Sequence, residues 1–293
     1  MGKRKFGKDG PEVTITGFGA GHIGSDQQEE KEVEKLLNEI LDLGINFIDT
    51  ARAYGLSEKR IGKYLSHRRN EFILSTKVGY DVQWNPDWSY NAIYGGIDQA
   101  LQLLRTDYID IVHLHSCSKE ILLRGEVILA LEKAKKDGKV RQMAFSGENE
   151  ALEYAMDTGC FDSIQCSVNI CDQRGISKFF PKTSKLGLGV IAKRPIANAP
   201  WRYAEPPVGH YSEEYWHRFK KMNIELQGID LADMAIRFTA FTPGVSTCIL
   251  GSSNIEHIKQ GINAVEKGPL NKEILDYLQN KFRENDDNWV GLI

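Results

Sequence analysis

Short apolar runs alternate along the chain with longer stretches in which apolar positions recur every three to four residues. VTITGF (13–18), INFID (45–49), FILSTK (72–77), YIDIVHLH (108–115), MAFS (143–146), SIQCSV (163–168), LGVIA (188–192) and TCIL (247–250) read as eight strands. The intervening stretches read as helices. Ser25 and Gln28 form a candidate capping box ahead of the face Val33, Leu36, Leu37, Ile40 and Leu41, and Gly44 supplies the stop. Ile93, Ile97, Leu101 and Leu104 repeat that face after Ser89. Val127, Leu131 and Ala134 do so before Gly138, and Ala151, Leu152, Ala155 and Met156 before Gly159. Asp230 and Asn254 are the expected caps of the last two barrel helices.

Strand–helix alternation of this kind predicts a parallel sheet, and eight units predict an α/β fold closed as a (β/α)8 TIM barrel. RKFGKDGPEV (4–13) reads as a short hairpin turning at Asp9-Gly10, ahead of the barrel. The interval from Ala192 to Thr247 is long enough to predict an enlarged loop after strand seven. No linker rich in Pro, Gly or Ser interrupts the pattern, so residues 1–293 read as a single barrel domain.

Composition narrows the class without supplying chemistry. In 293 residues, 37 basic and 40 acidic side chains leave a net charge of −3, with 41% hydrophobic and 26% charged residues. Those values exclude a disordered or fibrous chain, and they disfavour a dedicated nucleic-acid binder. Five cysteines (Cys117, Cys160, Cys166, Cys171, Cys248) without a C-x-x-C pair predict neither a disulfide framework nor a metal site. The opening MGKRKFGKDG lacks an apolar core, and no run approaches the length of a membrane span. A cytoplasmic protein without membrane partners is the expectation.

Gly19-Ala20-Gly21-His22-Ile23-Gly24, with Asp49 ending the next strand, imitates the fingerprint of a Rossmann dinucleotide site. The anions Asp26, Glu29 and Glu30 would repel a pyrophosphate from the helix that follows. The eight-unit rhythm also offers no doubly wound sheet. These glycines are expected instead to let the backbone turn closely under a ligand at the barrel mouth.

The carboxyl ends of consecutive strands carry a more specific signal. Asp49 closes the second strand and Tyr54 follows in its loop; Lys77 closes the third strand and His115 the fourth. Taken singly, such residues are more often a buried ion pair or loop packing, but the four together point to catalysis. GINFIDTARAYGLSEKRIGKYL (44–65), STKVG (75–79), TDYIDIVHLH (106–115) and GKVRQMAFSG (138–147) resemble the aldo-keto reductases over nearly the whole chain. The resemblance implies an NADP(H)-dependent oxidoreductase in which Asp49, Tyr54, Lys77 and His115 form the catalytic tetrad. Tyr54 would protonate the oxyanion left by hydride addition, aided by Lys77, which Asp49 would hold in place. His115 would hydrogen-bond the carbonyl oxygen. His113 shares the parity of His115; it is expected one layer below, as a core histidine bonded to an inward group such as Ser75 or in a second catalytic role.

The same resemblance implies cofactor contacts at Gly19, Ala20, Gly21 and Asp49, and at Ser146, Gln165 and Asn169 around the nicotinamide. Gly147 replaces an expected Asn, so that contact is missing or moves to Glu148 or Asn149. Lys193-Arg194-Pro195 stands where the family often has Tyr-Ser, and its cations would grip the pyrophosphate or a substrate anion, or else face solvent. At the adenosine end lie Gly251, Ser252, Ser253, Asn254, Ile255, His257 and Gln260; Gly251 and His257 occupy the places of the usual 2′-phosphate clamp. NADP(H) is the expected cofactor, with NAD(H) as the alternative. Trp84, Trp88 and Trp201 are candidates for the substrate pocket or for loop packing, as, more distantly, is Trp289. Arg52 would face an anionic substrate, and Cys117 has no base to make it a nucleophile. The expected substrate is a small aldehyde or ketone. A regulatory nicotinamide-binding subunit and an alcohol or sugar dehydrogenase are the rival readings.

Overall fold

The computed structural model describes residues 1–225 and 228–293. β1 (Lys3–Lys5) and β2 (Glu12–Thr14) pair antiparallel, with Arg4 opposite Val13. Eight parallel strands then close a barrel: β3 (Thr16–Gly19), β4 (Phe47–Asp49), β5 (Ile73–Val78), β6 (Ile109–His115), β7 (Val140–Ser146), β8 (Ser163–Ser167), β9 (Gly189–Lys193) and β10 (Thr247–Leu250). Each pairs with its neighbours in chain order, and β10 returns to β3. Apart from the first, every apolar run of the sequence lies on one strand. VTITGF divides instead between β2 and β3, because Thr14 turns its hydroxyl to the Thr16 carbonyl and the chain leaves the hairpin there.

The expected helices are present, with one correction at a cap. Glu30–Asp42 buries Val33, Leu36, Leu37, Ile40 and Leu41. It starts after Glu29 without a side-chain cap, so Ser25 and Gln28 do not form a capping box. The Ser25 hydroxyl accepts from the Gln27 amide instead, within a turn preceding the helix. Glu30 in the first turn is tied to Arg60, Lys63 and Tyr64 of the next helix. Ser89, Asp230 and Asn254 cap their helices through side-chain oxygens. The long interval after β9 contains the additional helix Glu213–Met222, followed by the barrel helix Leu231–Ala240.

Alternate residues of each strand face the barrel interior, which is filled in layers. The floor is the apolar cluster of Phe6, Val13, Phe47, Ile111, Ala144 and Ile191. Phe6, from the hairpin, plugs it. A Cβ on Gly189 would lie 2.7 Å from the Phe6 ring, so the start of β9 needs glycine to admit this plug. Above the floor the inward residues turn polar: Asp49, Ser75 and Lys77, His113 and His115, Ser146, Gln165 and Lys193. Polarity is thus concentrated at the carboxyl-end mouth.

Candidate active site

β4 and β5 bring Asp49 beside Ser75 in register, and β5 and β6 bring Lys77 beside His113. The Lys77 ammonium donates to Asp49 Oδ2 at 2.6 Å and to the Thr50 carbonyl at 2.8 Å, both side chains being almost wholly buried. Ser75 donates to Asp49 Oδ1 at 2.8 Å and lies 3.0 Å from His113 Nε2. His113 is therefore the inward-facing layer beneath the mouth, bonded to Ser75, and the carboxylate of Asp49 is held from two sides. Lys77 Nζ lies 4.9 Å from the centroid of the Tyr54 ring, and Tyr54 meets His115 edge-on at 6.0 Å. Asp49, Lys77 and His115 at strand ends and Tyr54 in its loop are thus neighbours at the mouth.

The loop carrying Tyr54 is positioned by the glycine-rich segment. A Cβ on Gly24 would lie 1.9 Å from the Tyr54 carbonyl oxygen, and Leu56 donates its amide to the Gly24 carbonyl at 2.9 Å. Gly21 lies against the Tyr54 ring, where a Cβ would sit at 3.8 Å. Gly24 of the Rossmann-like pattern therefore allows close approach of two site loops. The barrel leaves no place for a Rossmann unit.

Electrostatics divide the group into one cation and one neutral ring. Burial works against the Lys77 ammonium, but the charge of Asp49, with Tyr54 and the hydrogen bonds, more than offsets it and raises its pKa. His115 is driven down to about 3, first by burial and then by the cations Lys77 and Lys193, so it is a neutral imidazole in ordinary buffers. His113, wholly buried near the same Lys77, is also held well below the usual histidine range.

The positions expected around the nicotinamide have groups that could take an amide ligand. Ser146 and Gln165 are in register on β7 and β8, and Ser146 donates to Gln165 Oε1 at 3.0 Å. The amide nitrogens of buried Gln165 and Asn169 have no hydrogen-bond partner among the described residues, so both retain unused donors. Gly147 leaves room for the ring of Phe145, which a Cβ would approach to 2.5 Å; an Asn there would require that ring to move. Its neighbours are committed elsewhere: Glu148 takes the Ser167 amide, and Asn149 holds the segment around Gly291.

The other expected residues take the following places. Lys193 is 3.2 Å from buried Glu148, and Arg194 donates to the Leu292 carbonyl at 2.7 Å, while Pro195 is buried. Those cations hold loops together in this structure. Arg52 donates twice to the Asp81 carbonyl, linking the Tyr54 loop to the loop after β5. Trp84 is 92% exposed, and Trp201 packs on Phe219 of the additional helix. Trp88 alone of the three reaches the tetrad's surroundings, through Tyr80 at 5.6 Å. Trp289 stacks near Arg218 and Phe282, and Cys117 is buried with its thiol pushed up to about 12. Around the expected adenosine end, Ser253, Asn254, His257 and Gln260 are exposed near the start of helix Ile255–Glu266, with Ser252 3.1 Å from His257 Nδ1.

Two features escape the sequence reading. Tyr80 places its hydroxyl 2.8 Å from His115 Nδ1 and stacks on that ring. Its only sequence signal is its place three residues beyond Lys77, on the same rim. The second is the segment after Asp286, which is tied to the loops after β7 and β9: Arg218 takes the Val290 carbonyl, Asn149 pairs with both polar backbone atoms of Gly291, and Arg194 takes Leu292.

A closed barrel whose mouth joins a buried Asp–Lys pair to a tyrosine and a neutral histidine is the architecture of a carbonyl oxidoreductase. The profile of the aldo/keto reductase family matches residues 16–282, and the chain belongs to that family. It is similar over 96% of both chains to the solved aldo-keto reductase AKR11C1 from Bacillus halodurans in its holo form, at 29% identity and a TM-score of 0.84. An uncharacterized oxidoreductase of Bacillus subtilis, YqkF, is 27% identical, with 97% of this chain and 98% of that protein covered. L-galactose dehydrogenase of Arabidopsis thaliana is 29% identical over 89% of this chain and 87% of its own. Among the described residues, no helix is long and apolar enough to cross a membrane.

Proposed function

We propose that residues 1–293 act as one barrel domain that reduces an aldehyde or ketone with NADPH, Tyr54 donating the proton. The observation that carries this reading is the ammonium of Lys77, buried, bonded to Asp49 and set against the Tyr54 ring. A fixed cation beside a phenol favours loss of its proton, and the Asp49–Ser75 contact keeps that cation in place. His115, neutral, offers a donor to the carbonyl oxygen without being a rival acid to Tyr54. Ser146, Gln165 and Asn169 would hold the nicotinamide carboxamide, and the bound nicotinamide supplies the hydride. Gly19, Ala20 and Gly21 would border the cofactor, Gly21 lying against the Tyr54 ring and Gly19 against Gly251 at the end of β10. Gly251, Ser252, Ser253, Asn254, His257 and Gln260 would receive the adenosine end, with the helix N-terminus favouring a phosphate.

The similarity to an L-galactose dehydrogenase supports a second direction, oxidation of a sugar by the same residues. A soluble cytoplasmic enzyme acting on a small carbonyl compound accommodates both. The test is cofactor oxidation and reduction followed by absorbance across aldehydes, ketones and aldoses, with the phosphorylated and unphosphorylated cofactors. Turnover fastest with NADPH and an aldehyde or ketone is expected. A tenfold preference for NADH contradicts the cofactor assignment, and cofactor binding without turnover on any substrate contradicts the enzymatic reading.

A further inference from the structure

We propose that Tyr80 is a positioning residue for His115: its hydroxyl donates to Nδ1 and fixes the neutral imidazole with its proton on Nε2. The inference rests on the carbonyl-reducing reading above and deepens it. A neutral imidazole has one donor and one acceptor nitrogen, and only the donor can serve a carbonyl oxygen. His115 is neutral because burial and two nearby lysines oppose its protonation. Which nitrogen carries the proton is then decided by the partner of the other.

That partner is Tyr80, 2.8 Å from Nδ1. Burial first, and then the neighbouring Tyr54, pushes the Tyr80 phenol above its ordinary value, so it keeps its proton and is available as a donor. A phenol is a stronger donor and a weaker acceptor than an imidazole N–H and nitrogen lone pair respectively, so the bond runs from oxygen to Nδ1. Nε2 then bears the hydrogen. No group among the described residues accepts from that nitrogen, which leaves it for a ligand in the mouth.

The surroundings hold Tyr80 in one pose. Its ring stacks on His115 at 5.6 Å with an interplanar angle of 20°, and Trp88 meets it edge-on, also at 5.6 Å. Trp88 reaches it by lying over Gly79. A Cβ on Gly79 would be 2.1 Å from the indole, and Gly79 itself has φ +153°. The Trp88 amide donates to the Gly79 carbonyl at 2.7 Å, closing this loop on itself. Arg52, through the Asp81 carbonyl, fastens the loop to the one bearing Tyr54. The donor to His115 and the proton source are thus on two loops clamped together.

The experiment uses the full chain labelled with 15N-histidine, with the His115 signals assigned by comparison with His115→Ala. At pH 7 the cofactor-free protein should show His115 protonated on Nε2 and a hydrogen-bonded Nδ1. Tyr80→Phe, which keeps the ring, should shift Nδ1 towards its unbonded value. In turnover, Tyr80→Phe should lower kcat roughly fivefold to tenfold, the scale of one hydrogen bond, with KM for NADPH unchanged. In a His115→Ala background the same substitution should change kcat less than twofold. A proton found on Nδ1, or an equal loss from Tyr80→Phe with and without His115, overturns the proposal. Absence of turnover in the parent protein would overturn the enzymatic reading, while the spectra would still decide the tautomer.

Discussion

Ser75 and Lys77 hold opposite oxygens of Asp49, at 2.8 Å on Oδ1 and 2.6 Å on Oδ2. The carboxylate is therefore fully engaged inside the barrel, and the lysine reaches the mouth with its charge intact. Removing either ion leaves the other buried without its counter-charge. Asp49→Asn and Lys77→Met should each cost about 3–5 kcal/mol of stability. The double variant should cost clearly less than their sum, because it strands no charge. Urea unfolding of the four proteins checks this; additive losses contradict a coupled pair.

Two buried groups give stability opposite dependences on pH. His115 titrates at about 3 in the folded chain against an ordinary 6.5. Between those values the unfolded chain binds a proton that the site refuses, so stability falls as pH drops through that window. Burial raises Asp172 to about 6 from an ordinary 3.8. Its contribution is full below about 3.8 and is lost as pH rises through 6. Urea midpoints measured from pH 4 to 6 should fall more steeply with acid in Asp172→Asn than in the parent, and less steeply in His115→Asn. Parallel profiles in all three proteins contradict both assignments.

Gly291 packs its α-carbon against Glu148 and Arg174. A Cβ there would meet the Glu148 Cβ at 2.7 Å and Arg174 Nη2 at 3.0 Å, while the Gly291 amide donates to Asn149 at 2.7 Å. Gly291→Ala should push the segment off this contact and destabilise the fold by about 1–3 kcal/mol. Limited proteolysis should then cut after Asp286 faster than in the parent. Unchanged stability and cleavage would show that the strap is not held by this contact.

The barrel was legible because its apolar runs are short, evenly spaced and separated by amphipathic helices with glycine stops such as Gly44, Gly138 and Gly159. Asp49, Tyr54, Lys77 and His115 were legible because parallel strands bring their carboxyl ends to one rim, so chain order alone predicts convergence. The hydrogen bond between His113 and Ser75 followed from strand parity in the same way. Less legible were choices made by loops. Ser25 lies in a turn before the helix, whose N-cap, Glu29, is four residues beyond the expected one. Lys193 and Arg194 look free in sequence, yet partners 45 and 98 residues away in Glu148 and Leu292 claim them. Loop pairings of that kind leave no periodic trace. Tyr80 escaped for the same reason, since its hydrogen bond depends on how the loop after β5 folds over its own Trp88.

The central claim is that Tyr54 gives the proton and Lys77 enables it. Tyr54→Phe keeps the ring over Lys77 and removes only the hydroxyl, so it isolates that role. NADPH oxidation by an aldehyde that the parent reduces is the measurement, with cofactor affinity determined alongside by fluorescence titration. We predict a fall in kcat of about a hundredfold or more, the scale of general acid removal, with NADPH affinity preserved. A variant that turns over as fast as the parent would contradict the account.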